Sequence, residues 1–143
     1  MAKEITGRCL CGAVEYRCSG EVLVGGHCHC EDCRRSSGTG HSSHLAVPAD
    51  TVVVRGTVAE YARPADSGNV VTRCFCPTCG APVYSINAAM PGMLFLRASS
   101  LDDLSVFQPR IVVYASRAAP WDHMDPALPS FAEMAPVPGS GEA

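Results

Sequence analysis

Short strand-like segments dominate the pattern of apolar and polar positions along the chain. Apolar and polar residues alternate over residues 13–18, and residues 51–54, 69–72, 93–96 and 110–114 are rich in β-branched or aromatic side chains. Such segments are typical of β-strands. Turn-forming residues bound them, among them Ser19-Gly20, Gly25-Gly26 and Pro91-Gly92. Many short strands at close spacing predict an antiparallel all-β domain.

Helical signals are sparse. Residues 100–104 begin with a serine that could cap a helix, but the segment is only one turn long. From Asp125 onward, closely spaced prolines disfavour regular structure; they are Pro126, Pro129, Pro136 and Pro138. We therefore expect little helix, a single domain over residues 1–135, and a flexible C-terminal tail over residues 136–143.

Composition narrows the class of protein. The chain has 143 residues, 47% of them hydrophobic and 17% charged, which suffices for one buried core. A formal net charge of -3 disfavours a nucleic-acid partner. The apolar runs are too short to span a membrane, so no membrane partner is expected. The first residues lack the apolar stretch of a signal peptide, which favours a cytoplasmic location.

Nine cysteines are the unusual feature of this composition. An odd number cannot all be paired in disulfides, and a reducing cytosol favours metal ligation instead. Seven of them form three tight groups, at residues 9–11, 28–33 and 76–79. Cys18 and Cys74 stand outside the groups and are expected to be core or surface thiols, although Cys74 shares a strand face with Cys76.

The third group has the form of a zinc knuckle. Cys76 and Cys79 are separated by two residues, so that one tight turn brings both sulfurs close to a single ion. Pro77 fixes one φ angle of this turn, and Gly80 permits a positive φ directly after the second ligand. A knuckle supplies two ligands, and a closed tetrahedral site needs two more.

The first group can complete that site. Cys9 and Cys11 lie on one face of an extended segment by alternation, and Gly12 permits the bend that would let them converge on one ion. The sequence therefore predicts a structural zinc bound by Cys9, Cys11, Cys76 and Cys79. Reduced, buried cysteines without metal are the alternative.

The second group predicts an open metal site. Cys28, Cys30 and Cys33 supply three thiolates, and three protein ligands with a free fourth position are typical of catalytic zinc. We expect this second zinc to be more labile than the first. A reactive dithiol is the alternative. The fourth ligand, or a base, could come from a histidine; the candidates are His29, His41 and His44.

The three cysteine motifs, taken in order, resemble those of the glutathione-dependent formaldehyde-activating enzyme family, which includes centromere protein V. The matching segments are residues 9–14, 28–34 and 75–80, with a similar ending at residues 116–121 and 128–131. The resemblance implies a β-tent fold with a zinc clamp. It also implies a structural zinc at Cys9, Cys11, Cys76 and Cys79, and a second zinc at Cys28, Cys30 and Cys33 that meets the glutathione thiol.

Two functions of different classes remain open. The resemblance favours a zinc-dependent carbon–sulfur lyase acting on a thiol adduct such as S-hydroxymethylglutathione, with a small thiol such as glutathione as its partner. Arg34, or Arg35 beside it, could pair with a carboxylate of that substrate. The alternative is a non-catalytic zinc module that binds a protein partner or senses thiol-reactive compounds.

Overall fold

A computed structural model describes residues 4–135 of the chain. The predicted C-terminal tail, residues 136–143, lies outside the described residues. The described part is mostly β-structure, as the sequence predicts, and it contains one short α-helix. In chain order, the elements are β1 (Ile5–Arg8), β2 (Glu15–Cys18), β3 (Val24–Cys28), α1 (Glu31–Ser37), β4 (Ser42–Pro48), β5 (Val52–Arg55), β6 (Ala59–Pro64), β7 (Val70–Phe75), β8 (Pro82–Asn87), β9 (Met93–Arg97) and β10 (Ile111–Val113).

The chain divides into two compact units. Unit 1 comprises the described residues up to Gly25 together with Ser43–Gln108, and unit 2 comprises Gly26–Ser42 together with the described residues from Pro109 onward. No helix in residues 4–135 is both long and apolar enough to cross a bilayer.

Unit 1 is built from antiparallel strands. Strands β1, β2 and β5 pair in that order. Strands β4, β9, β8, β7 and β6 form a second antiparallel series in that order. All strand pairs in these two series agree with the predicted antiparallel architecture.

The core of unit 1 lies under these strands. Tyr16, Leu45 and Leu96 are among its largest fully buried side chains. Two of the cysteines, Cys9 and Cys76, belong to the same buried cluster. The first and third cysteine groups therefore each have one cysteine packed into the core of unit 1.

Unit 2 contains the parallel pair β3 and β10, with Gly26 opposite Ile111 and Cys28 opposite Val113. This pairing corrects the expectation of purely antiparallel strands. The sequence pattern also predicted a turn at Gly25-Gly26, but both residues lie within β3. A Cβ at Gly26 would be 2.7 Å from the Ile111 carbonyl oxygen, so glycine here permits close approach of two backbones.

Helix α1 was not predicted, and the weak helical signal at residues 100–104 does not correspond to an α-helix. Instead, short 3₁₀ turns span Ala98–Ser100 and Leu104–Val106 on either side of Leu101. Helix α1 has acidic residues in its first turn, basic residues in its last, and Gly38 at φ 80° after its end. Its N-cap is Cys30, whose sulfur accepts the Cys33 N–H. Cysteine is not among the residues that normally indicate a helix start, and for this reason the signal was missed.

Candidate metal centres

The first and third cysteine groups meet in unit 1. The sulfur atoms of Cys9, Cys11, Cys76 and Cys79 all lie within 4.8 Å of one another. The Sγ–Sγ distance is 3.7 Å from Cys9 to Cys11 and 3.7 Å from Cys11 to Cys76. These distances are far longer than a disulfide bond of about 2.05 Å, and all four cysteines are free thiols.

The spacing fits a tetrahedral zinc ion. Four sulfurs at about 2.3 Å from zinc lie about 3.8 Å from one another at the corners of a regular tetrahedron. The Cys9–Cys11 and Cys11–Cys76 separations of 3.7 Å match this value, and the remaining sulfur pairs lie within 4.8 Å. These four residues could therefore hold a metal ion without rearrangement of the backbone.

Backbone amides support negative charge on these sulfurs. The Val14 N–H donates to Cys9 Sγ over 3.3 Å, and the Thr78 N–H donates to Cys76 Sγ over 3.3 Å. Hydrogen bonding from the Ala81 amide, followed by that from Cys11, lowers the pKa of Cys79 to about 6. The thiols of this group therefore differ in pKa, and the Cys79 thiol ionises readily.

Cys11 shows the opposite shift. The Ala13 amide lowers its pKa, but desolvation by the surrounding sulfurs and hydrogen bonding with the other three cysteines of the group outweigh this effect and raise the pKa to about 11. Four neighbouring thiols cannot all be deprotonated unless a cation offsets their negative charge. A bound metal would remove this conflict because it requires all its thiol ligands in the deprotonated form.

Two details of the sequence prediction change in the structure. Cys9 and Cys11 do not lie on a strand; they occupy the loop between β1 and β2, where Gly12 has a φ of 85°. The bend predicted at Gly12 is therefore present and begins earlier than expected. Gly80 has the positive φ predicted for a knuckle, at 76°.

The second group lies in unit 2. The sulfurs of Cys28, Cys30 and Cys33 also lie within 4.8 Å of one another. Cys28 is the last residue of β3 and Cys30 is the N-cap of α1, so strand alternation does not extend from one to the other. Hydrogen bonding with Cys30 and then with Cys33 raises the pKa of Cys28, because the proton is shared among three close sulfurs. The group brings three thiols together and could hold a metal ion.

The two arginines after Cys33 differ in their surroundings. Arg35 is exposed and pairs with Glu31 one helical turn earlier, with 2.8 Å between Nε and Oε2. Arg34 is half-buried, and its backbone N–H donates to the Cys30 carbonyl over 2.9 Å. Residues four apart on a helix share a face, so Arg34 lies on the face that begins at Cys30. Of the two arginines, only Arg35 forms an ion pair with Glu31.

Among the described residues, none of the three candidate histidines joins the Cys28, Cys30 and Cys33 group. His44 lies on β4 of unit 1, opposite Arg97 of β9. His29 and His41 meet in unit 2 with Asp122, a residue that the sequence analysis did not single out. The Asp122 carboxylate Oδ2 is 2.7 Å from His41 Nδ1 and 3.5 Å from His29 Nδ1. The sequence around Asp122 does not indicate its contact with His41, because the two residues are 81 positions apart.

Cys18 and Cys74 belong to neither cysteine group. Both are buried in unit 1, and Cys18 Sγ lies 3.5 Å from Thr51 Oγ1. Burial raises the pKa of the Cys74 thiol. The pairing of β7 with β8 shifts register between Cys74 and Phe75, and β7 ends there. Strand alternation therefore does not extend to Cys76, which lies in the turn after β7.

Comparison with known proteins agrees with these motifs. Residues 4–117 match the model of the family described as glutathione-dependent formaldehyde-activating enzyme. A crystal structure of a Rhodobacter sphaeroides protein is similar with a TM-score of 0.54 and 24% sequence identity, over 68% of this chain and 87% of that one. This likeness concerns the fold. No curated protein matches the chain.

The family match covers most of the chain and includes all three cysteine groups. The fold and the two cysteine groups thus define a mostly β protein whose thiols could bind metal ions. The chain belongs to the glutathione-dependent formaldehyde-activating enzyme family.

Proposed function

We propose that the protein is a zinc-dependent carbon–sulfur lyase that acts on a thiol adduct such as S-hydroxymethylglutathione. The observation that carries the proposal is the convergence of Cys28, Cys30 and Cys33 in a chain of this family. Three thiolates leave one position of a tetrahedral ion available to a substrate. A zinc ion held there would act as a Lewis acid and favour the thiolate form of a sulfur ligand.

The reaction itself is simple to balance. In the lyase direction, the carbon–sulfur bond of the adduct breaks and its electron pair remains on sulfur. The hydroxyl group loses its proton as its oxygen becomes the carbonyl oxygen of formaldehyde, and a proton returns to the thiolate to give the free thiol. No external oxidant or reductant is needed.

Residues at the start of α1 could offset the negative charge of the Cys28, Cys30 and Cys33 site. The Cys33 N–H donates to Cys30 Sγ over 3.3 Å, which offsets negative charge on that sulfur. A fourth thiolate would raise the negative charge of the site further and would need a nearby cation. We infer that Arg34 supplies this cation and also attracts a substrate carboxylate, since Arg35 is already paired with Glu31.

The zinc ion that we propose for the first and third cysteine groups is structural. Cys9, Cys11, Cys76 and Cys79 would hold a zinc whose four positions are all filled by protein, leaving none for substrate. Their role would be to tie the β1–β2 loop to the turn between β7 and β8. The two zinc sites would thus divide stability and chemistry between them.

Cobalt substitution combined with glutathione tests the proposal. The sulfur-to-cobalt charge-transfer band should intensify when a fourth thiolate joins the Cys28, Cys30 and Cys33 site. Arg34→Ala should weaken glutathione binding by on the order of 1–3 kcal/mol, the scale of a charged hydrogen bond. Arg35→Ala is the matched control and should bind glutathione as the wild type does.

Two results would count against the lyase. A cobalt spectrum that does not respond to millimolar glutathione or other small thiols would favour the non-catalytic zinc module instead. Equal loss of binding in Arg34→Ala and Arg35→Ala would show a general charge effect and would remove the specific role given to Arg34.

A further inference from the structure

A group of nitrogen and oxygen ligands in unit 2 is not used by the proposed function. His29, His41 and Asp122 each offer one donor atom, and the three donors lie within 4.8 Å of one another. Neighbouring ligands at about 2.1 Å from a metal stand about 3.0–3.4 Å apart in octahedral or tetrahedral geometry. The separation of 3.5 Å between His29 Nδ1 and Asp122 Oδ2 is close to this, and that of 2.7 Å to His41 Nδ1 requires only a small opening.

His29 gives the independent indication of a ligand. Its side chain is 1% exposed, and neither ring nitrogen makes a hydrogen bond with a described residue. The Gly40 backbone and the Asp122 carboxylate lie near the ring without meeting hydrogen-bond geometry. Leaving a buried polar group unpaired costs its full desolvation free energy, so a ring this well enclosed is expected to have a hydrogen-bond or metal partner.

The other two residues are held in place. Asp122 and His41 are only 13% and 19% exposed, and their contact fixes both side chains. The ring of His27 meets the His41 ring edge-on, with 4.9 Å between centroids. The donor atoms of His29, His41 and Asp122 therefore lie close together, and the packing around them restricts their movement.

We propose that His29, His41 and Asp122 bind a divalent first-row transition-metal ion, in a site whose ligands are distinct from those of both cysteine groups. Two imidazoles and one carboxylate suit ions such as Zn²⁺, Mn²⁺ and Fe²⁺, and they leave coordination positions open to water or a small oxygen ligand. The Asp122 carboxylate neutralises part of the ion's charge. The competing arrangement is a hydrogen bond from His41 to Asp122 with no metal, which leaves the His29 ring nitrogens without a hydrogen bond.

Cobalt loading of matched variants tests the site. The wild-type chain should bind one more Co²⁺ ion, by elemental analysis, than His41→Ala or Asp122→Asn. The sulfur-to-cobalt charge-transfer band should be equal in all three, because no cysteine is altered. His123→Ala is the control: its side chain is exposed and adjacent to Asp122, and it should bind as much cobalt as the wild type.

The proposal is overturned if both variants fold and retain the wild-type cobalt content. Should a variant fail to fold, the wild-type protein decides the question through its five histidines, observed by ¹⁵N NMR of the imidazole rings. After the thiol sites are saturated with Zn²⁺, one further equivalent should shift the ring signals of His29 and His41. Histidine signals that do not respond would overturn the proposal equally.

Discussion

Tyr16 illustrates how single residues of unit 1 combine burial with a polar partner. Its ring is 1% exposed, and its hydroxyl lies 2.7 Å from Ser100 Oγ. Ser100 Oγ in turn donates to the Arg97 carbonyl over 2.7 Å. Burial raises the pKa of Tyr16 to about 12. The phenol is therefore held in its neutral form by the fold.

This shift predicts a loss of stability at alkaline pH. A tyrosine in the unfolded chain ionises near pH 10, whereas folded Tyr16 keeps its proton until about pH 12. The contribution of neutral Tyr16 is thus complete below pH 10 and is lost as the pH rises toward 12, because only the unfolded state releases the proton in this window. Denaturant unfolding measured from pH 8 to 12 should show this decline.

Tyr16→Phe should make the alkaline decline shallower, at the expense of about 1 kcal/mol at neutral pH for the lost hydrogen bond to Ser100. Tyr61→Phe is the control, since Tyr61 is 57% exposed, and its decline should match that of the wild type. The same slope in all three proteins would show that Tyr16 does not contribute to it.

At the scale of elements, the two cysteine groups are held in different ways. Cys9 and Cys76 are buried in the core of unit 1 and lie in a loop and a turn that follow strands. Cys30 and Cys33 belong to the start of α1, a helix of seven residues. So short a helix gains little stability from its own hydrogen bonds. Loss of metal should therefore affect the two regions differently.

We expect Cys76→Ser and Cys30→Ser to separate stability from chemistry. Cys76→Ser should lose the structural zinc and leave the chain insoluble or poorly folded, because that ion is bound only by the folded state. Cys30→Ser should lose the second zinc and any thiol-adduct activity while it keeps native far-ultraviolet circular dichroism. Elemental analysis and thermal melting of both variants are the measurements.

Cys74→Ser is the matched control for metal content. Cys74 is buried near the same turn but is not in the metal-binding group, so the variant should retain all its zinc. Native-like melting and full zinc content in Cys76→Ser would contradict the structural assignment. Unfolding of Cys30→Ser as severe as that of Cys76→Ser would contradict the catalytic one.

At the scale of the whole molecule, the proposed structural zinc connects segments that are distant in sequence. Cys11 and Cys76 are 65 residues apart, so an ion bound to both closes a long loop. Structural zinc contributes about 10–16 kcal/mol of apparent binding free energy in small domains. That is comparable to the entire free energy of unfolding of a typical domain, about 5–15 kcal/mol.

Titration with a chelator should therefore release zinc in two phases. The three-thiolate site should lose its zinc first, without loss of circular dichroism, because one coordination position is open to the competing ligand. Zinc bound by Cys9, Cys11, Cys76 and Cys79 should leave later and together with unfolding. Release of all zinc in one step that coincides with unfolding would contradict this division.

The sequence by itself determined the family, the mostly β architecture and the two sets of cysteines. These features depend on local spacing: two residues between Cys76 and Cys79 fit one turn, and alternating apolar residues fit a strand. Five of the strands, β2, β5, β7, β9 and β10, lie where such patterns predict them. Helix α1 was missed because its N-cap is a cysteine, whose sulfur replaces the usual side-chain oxygen.

The four ligands that a closed zinc site needs already joined the first and third cysteine groups, but only the tertiary structure decided which other distant residues meet. The parallel pairing of β10 with β3 joins segments more than 80 residues apart, and no local pattern specifies the partner or direction of such a pairing. Asp122 reaches His29 and His41 for the same reason: its position depends on the path of the chain after β10, not on its sequence neighbours. Local spacing encodes ligands within a turn, whereas sites assembled from distant segments exist only once the chain has folded.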